Sequence, residues 1–140
     1  MANLAPVLGT ILVIDDEADA AAMIKRILQR EGHAVELAFS GREALKFLGV
    51  EPLDSSAPLP DMLILDIMMP EMDGITVYRK LKAAAHTKPL PIVVLTARSQ
   101  NQDSRLLSLS VAAYIPTPFD VKDLRAIVNG VLANVREKRR

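Results

Sequence analysis

Three aspartates stand where two apolar runs of this chain stop: Asp15 and Asp16 follow "TILVI" (10–14), and Asp66 ends "MLILD" (62–66). Thr96 lies near the end of a further apolar run, "PIVVLTA" (91–97), and Thr117 sits between two prolines in "YIPTPF" (114–119). Carboxylates gathered in a partly desolvated place repel one another unless a proton or a cation compensates. A donor set made only of oxygen favours a hard divalent ion, Mg²⁺ or Mn²⁺, whereas zinc would want histidine or cysteine. The chain has no cysteine, and its two histidines, His33 and His86, read as surface residues at a strand start and a helix end. An ionised carboxylate beside a divalent ion can attack phosphorus and become an acyl phosphate. A hydroxyl such as that of Thr96 would help hold the phosphoryl oxygens. Each residue alone has a plainer explanation: Asp15 or Asp16 as a helix cap, Asp66 as the start of a turn, Thr96 as a β-branched strand end.

What decides between these explanations is whether the elements bring the aspartates together. "TILVI", "MLILD" and "PIVVLTA" show no polar alternation and read as strands buried on both faces. "HAVELAF" (33–39) alternates partly, as an edge strand would, and "VAAYI" (111–115) makes a short fifth strand. Between them, residues 17–31 carry apolar side chains at helical spacing and end at Gly32. Ser40 and Glu43 form a capping-box pattern before the next helix, and a third helix follows Pro70 and Gly74. "NQDSRLLSLS" (101–110) reads as a weaker, more polar helix. The last helix starts near Asp120 and carries Leu124, Ile127, Val128, Val131, Leu132 and Val135 as one stripe.

Five strands alternating with five helices predict an α/β fold, an open doubly wound parallel sheet with helices on both faces. The chain is too short for an eight-stranded barrel. In an open sheet of this kind the functional crevice lies at the carboxyl ends of the strands, which is where Asp15, Asp16, Asp66, Thr96 and Thr117 fall.

At 140 residues, half of them hydrophobic, the chain is expected to form one domain with a core of about 10–135, a short lead and a basic tail, "VREKRR", in solvent. Seventeen basic residues balance seventeen acidic ones, so net charge argues for neither nucleic acid nor membrane. No signal peptide is evident and no run approaches the roughly 18 apolar residues of a membrane span, so a cytoplasmic protein is expected. There is no "GxxxxGK[ST]" and no "GxGxxG" after the first strand, so a P-loop or dinucleotide site is unsupported.

"ILVIDDEADA", "LILDIMMPEMDG", "PIVVLTA" and "YIPTPF" resemble, in order and spacing, the motifs of response-regulator receiver domains of two-component signalling. The resemblance runs from about Thr10 to Val135 and implies a flavodoxin-like fold of five parallel strands and five helices. It implies that Asp66 is the phosphoacceptor, served by a histidine kinase or phosphotransfer protein in a phosphorelay. Asp16 would be a direct Mg²⁺ ligand and Asp15 would act mainly through water, with Asp66 and the backbone carbonyl of Met68 completing the protein ligands. Thr96 matches the switch hydroxyl and Tyr114 the aromatic whose rotamer reports the state. The fourth helix, fifth strand and last helix would form the output face, near Leu106, Leu109 and Tyr114.

One departure stands out: the family usually has lysine where this chain has Thr117, and "SVAAY" and Pro116 are also unusual. Threonine offers a neutral hydroxyl in place of a cation. Two readings follow, a phosphorylated regulator with altered turnover or coupling, and a phosphorylation-independent interaction module. A small metal-dependent phosphatase or phosphotransferase would need a substrate-enclosing cap for which no insertion is large enough. Because the sequence stops near the end of the last helix, with no DNA-binding or enzymatic segment, the expected output is binding to a downstream protein or a second copy. The Thr117–Pro118 bond is a candidate cis peptide in a tight turn.

Overall fold

The computed structural model describes residues 8–97 and 104–139. The strands are β1 (Thr10–Ile14), β2 (Ala34–Ala38), β3 (Met62–Asp66), β4 (Ile92–Ala97) and β5 (Ala113–Thr117). They form one parallel sheet in the order β2-β1-β3-β4-β5. The helices among the described residues are α1 (Ala18–Arg30), α2 (Gly41–Phe47), α3 (Gly74–Ala83) and α4 (Val121–Lys138).

Alternation along the central strands separates two cores. Leu12, Ile14, Leu63, Leu65 and Val94 face one side and pack on Ala44 and Leu45 of α2 and Ile75, Val77 and Leu81 of α3. Ile11, Val13, Ile64, Val93, Leu95 and Ile115 face the other side and pack on Ile24 and Leu28 of α1 and Leu124, Val128 and Leu132 of α4. Both faces of β1 and β3 are therefore lost to water, which is why their sequences show no polar alternation. At roughly 1.5–3 kcal/mol for each fully buried aliphatic side chain, this double burial is the main source of stability.

Helix boundaries follow the local chemistry. Ser40 accepts from the Glu43 N–H at 3.0 Å, Asp73 from that of Thr76 at 2.8 Å, and Asp120 from that of Lys122 at 2.8 Å, capping α2, α3 and α4. Gly32, with φ of 101°, ends α1 in a conformation that side chains resist.

Four expectations need correction. Where a fourth of five helices was expected, the described part is a short 3₁₀ turn at Ser104–Ser108; residues 98–103 lie outside the described residues. Strand β5 runs two residues later than "VAAYI" and takes in Pro116 and Thr117, because Thr96 and Ala97 of β4 supply them with partners. Proline is tolerated there because β5 is an edge strand, with one side free of ladder bonds.

The histidines are not surface groups. His33 is only 4% exposed, its Nδ1 accepting from the Gly9 N–H at 3.2 Å, and burial holds its pKa below the ordinary value. His86 is half-buried, with Nε2 2.9 Å from the Leu48 carbonyl. The basic tail is also partly anchored, since Arg139 pairs with Asp61 at 2.9 Å. Thr117–Pro118 is cis, and so is Glu51–Pro52. None of the described helices is long and apolar enough to cross a membrane.

Gly130 interrupts α4 without an internal reason: a Cβ built there meets nothing within 4 Å. Gly130→Ala is therefore expected to stabilise the domain by about 0.5–1 kcal/mol through helix propensity alone. Urea unfolding should show a higher midpoint, and a lower one would mean that the glycine is needed for packing.

Candidate functional site

The parallel ladder carries β1 and β3 side by side, with Ile14 opposite Leu65, so the residues that follow them meet at one edge. One carboxylate oxygen each from Asp15, Asp16 and Asp66 lies within 4.8 Å of the others. The buried member is Asp15; Asp66 is half-buried and Asp16 exposed.

Backbone contacts hold this edge in place. The Asp15 N–H donates to the Ala38 carbonyl at 3.0 Å, extending the β1–β2 ladder beyond the last strand residue. The Asp15 Oδ1 accepts from the Glu17 N–H at 3.0 Å and so serves the entry to α1, where Glu17 itself makes no side-chain cap. Asp15 is not the helix cap that its position suggested: Glu17 is the N-cap of α1, and Asp15 only braces the turn before it, in addition to its place in the acid cluster. The Asp66 Oδ1 accepts from the Met68 N–H at 3.2 Å. Gly74 closes the loop behind it, its N–H donating to the Ile67 carbonyl at 2.9 Å. A Cβ on Gly74 would lie 2.3 Å from the Asp66 carbonyl oxygen, so no other residue allows this approach without displacing the aspartate.

The electrostatics fit a cation. Burial, then the neighbouring Asp15 charge, pushes the Asp66 carboxyl up to about 7, against the lowering influence of the Met68 N–H. Asp15 is also raised, chiefly by burial. An all-oxygen cluster that retains a proton near neutrality has a charge deficit that a divalent ion can fill.

The remaining candidates lie around this cluster. Thr96, only 2% exposed, is one residue beyond Leu95, the β4 partner of Asp66. Thr117 pairs with Ala97, and its Oγ1 donates to the Thr96 carbonyl at 3.2 Å. The hydroxyl at the lysine position is therefore spent on the backbone of β4. Tyr114 stands beside Val94 on β5, 40% exposed, and its hydroxyl donates to the Leu106 carbonyl at 2.7 Å. It is tied to the 3₁₀ turn and is not part of the acid cluster. The Met68 side chain is 65% exposed beside the site. Leu106 is buried and Leu109 packs against the same core, so both are core residues.

Two connections were not foreseen. Arg105 of the 3₁₀ turn pairs with Asp73, the cap of α3, at 3.5 Å. The Tyr78 hydroxyl accepts from the Ser110 N–H at 2.7 Å and so fixes the approach to β5. Both join the loop after β3 and its helix to the segment before β5. No local pattern announces them, because the partners are 32 residues apart in each case.

An acidic cluster thus closes the carboxyl edge of a β2-β1-β3-β4-β5 sheet. The model of the response regulator receiver domain matches residues 11–129. The chain belongs to that family. Among solved structures it is similar to the signal receiver domain of a signal transduction histidine kinase from Syntrophus aciditrophicus, 33% identical with a TM-score of 0.81, covering 91% of this chain and 92% of that one. A putative response regulator from Chloroflexus aurantiacus is 32% identical with a TM-score of 0.79, covering 89% of this chain and 98% of that one. Among curated proteins, response regulator MprA of Mycolicibacterium vanbaalenii is 38% identical over 124 residues, 87% of this chain and 49% of the relative. The chain thus spans about half the length of the curated relatives it matches, with 51% for MprA of Mycobacterium ulcerans.

Proposed function

We propose that this domain is a phosphoacceptor that takes a phosphoryl group on Asp66 from a histidine kinase or phosphotransfer protein and reports it by protein–protein contact. The observation that carries the reading is the convergence of Asp15, Asp16 and Asp66, with Asp66 tethered by the Met68 N–H and backed by Gly74. In the transfer, a carboxylate oxygen of Asp66 forms a bond to phosphorus while the bond from phosphorus to the donor imidazole nitrogen breaks, and the imidazole leaves with the electron pair.

Asp15, Asp16 and Asp66, with the Met68 carbonyl, are the groups that would hold Mg²⁺, or Mn²⁺ in its place. The bound ion would supply charge neutralisation for the phosphoryl oxygens. Thr96 would contact the phosphoryl group through its hydroxyl. Tyr114, already bonded to the 3₁₀ turn, would report the change to the surface around β5.

Incubation with a small acyl or amidophosphate donor and Mg²⁺ is expected to give one labile phosphoryl adduct by intact-mass measurement. Asp66→Asn should give none. An unmodified mass at saturating donor would reject the reading. It would favour the second one, a phosphorylation-independent interaction module, for which the observation is Thr117, a neutral hydroxyl already engaged by the Thr96 carbonyl.

A further inference from the structure

At the end of the sheet opposite Asp66, the segments leading into β3, β4 and β5 and the second half of α4 enclose a groove of about 810 Å³. Its walls include Leu90, Ile92, Ala113, Ile127 and Val131, and its charged rim is Lys82, Lys138, Arg139 and Asp61. The charges do not balance. Asp61 is satisfied by Arg139 at 2.9 Å and by the Thr10 N–H at 2.8 Å. Neither Lys82 nor Lys138 has a carboxylate partner among the described residues.

Lys82 is half-buried, donating to the Lys88 carbonyl at 3.0 Å and lying 5.6 Å from the Tyr78 ring centroid. Burial and the nearby Lys88 charge lower its pKa, which an incoming anion would reverse. Gly130 lines the same groove, with empty space where its side chain would be. The wall of α4 from Ala126 to Lys138 is about 20 Å long at the helical rise, the length of a three- to four-turn partner helix.

We propose that this groove is a docking surface for an amphipathic helix of a partner protein, apolar on the face laid into the groove and carrying carboxylates along its flanks. The apolar walls take the partner's aliphatic side chains, Gly130 lets its backbone approach α4 closely, and Lys82 and Lys138 receive its carboxylates. The surplus positive charge of the rim selects for acidic flanks and rejects basic ones. The surface is remote from the acid cluster and stands or falls separately from the phosphoacceptor reading.

The test titrates the isotopically labelled chain with a synthetic helical peptide of about 14 residues, leucines at i, i+3, i+4 and i+7 and glutamates elsewhere. A control peptide carries lysine for each glutamate. Amide shifts are expected at Ala113, Ile127, Gly130 and Val131, with the lysine peptide at least about tenfold weaker. Lys82→Glu with Lys138→Glu should weaken the acidic peptide by about tenfold or more. Gly130→Leu should weaken it comparably without lowering the unfolding midpoint, because leucine is the better helix former.

Equal binding of the two peptides, or shifts gathered around Asp66, would overturn the proposal. So would a doubling of mass in sedimentation accompanied by the same amide shifts, which would assign the groove to a second copy. Equal retention of the chain by anionic lipid vesicles, lost in the charge-reversed variant, would assign the rim to a membrane surface and overturn it too.

Discussion

In chelator at about pH 8, Asp66→Asn is expected to unfold at a higher urea concentration than the parent chain, by about 1–2 kcal/mol. The reason is the pocket's own repulsion. In the folded state burial and Asp15 raise the Asp66 carboxyl from its ordinary 3.8 to about 7, so the folded chain binds this proton more tightly than the unfolded chain does. Stability contributed by the bound proton is complete below the unfolded value and is lost as pH rises from about 4 through about 7. Asparagine keeps the position neutral throughout. The advantage of the variant should therefore be small near pH 4, grow across that window and level off above about 7. Taken at face value, the rise would be worth about 4 kcal/mol, but water reaches the half-buried carboxyl and trims the effect.

Mg²⁺ should close the gap, because a ligand that binds only the folded parent stabilises it by mass action while the variant has lost one carboxylate. Urea midpoints at two pH values, each with chelator and with Mg²⁺, check all of this. A variant no more stable than the parent in chelator at high pH would mean that the acids do not crowd one another, and would remove the main argument for a cation site.

Thr117→Lys is the second change expected to act strongly. A lysine at this strand end would place an ammonium near the acid cluster, and an opposite charge within about 4–6 Å lowers a carboxyl by roughly 1–3 pH units. The Asp66 titration, followed by carbon NMR of its carboxyl, should move down from about 7, and the stability gain from Asp66→Asn should shrink accordingly. The substitution forfeits the bond from the Thr117 hydroxyl to the Thr96 carbonyl, at a cost of about 0.5–1.5 kcal/mol that the new ion pair offsets. With donor and Mg²⁺ present, the phosphoryl-dependent change around Tyr114 should become larger, because lysine would join the phosphoryl group to β5 directly. Tyrosine near-ultraviolet circular dichroism reads that change. Identical titrations and identical spectra for the two proteins would show that Thr117 lies outside the reach of the site.

The central architecture is legible in the sequence because burial on both faces leaves a mark on the chain. β1, β3 and β4 are continuous aliphatic runs, and only a strand covered by helices on both sides tolerates that. The first two of these runs stop at acids, so a parallel sheet could place Asp15, Asp16 and Asp66 together with no knowledge of side-chain positions. The helix starts at Ser40 and Asp120 were equally legible, since a cap bonds residues two or three positions away.

What depended on distant partners was not legible. The end of β5 could not be found from "YIPTPF", because Pro116 and Thr117 become strand residues only through Thr96 and Ala97 on β4. His33 read as a surface residue because its hydrogen-bond partner, the Gly9 N–H, belongs to the lead into another strand. The same limit hid the engagement of the Thr117 hydroxyl by a carbonyl 21 residues earlier, and the groove along α4 that three strand entries and a helix make together. Sequence alone determined which strands are buried and which acids close them, since both follow from short-range pattern and solvent exclusion. Tertiary structure alone decided which polar groups are already occupied and which cations are left over, since each depends on atoms that the fold brings in from elsewhere.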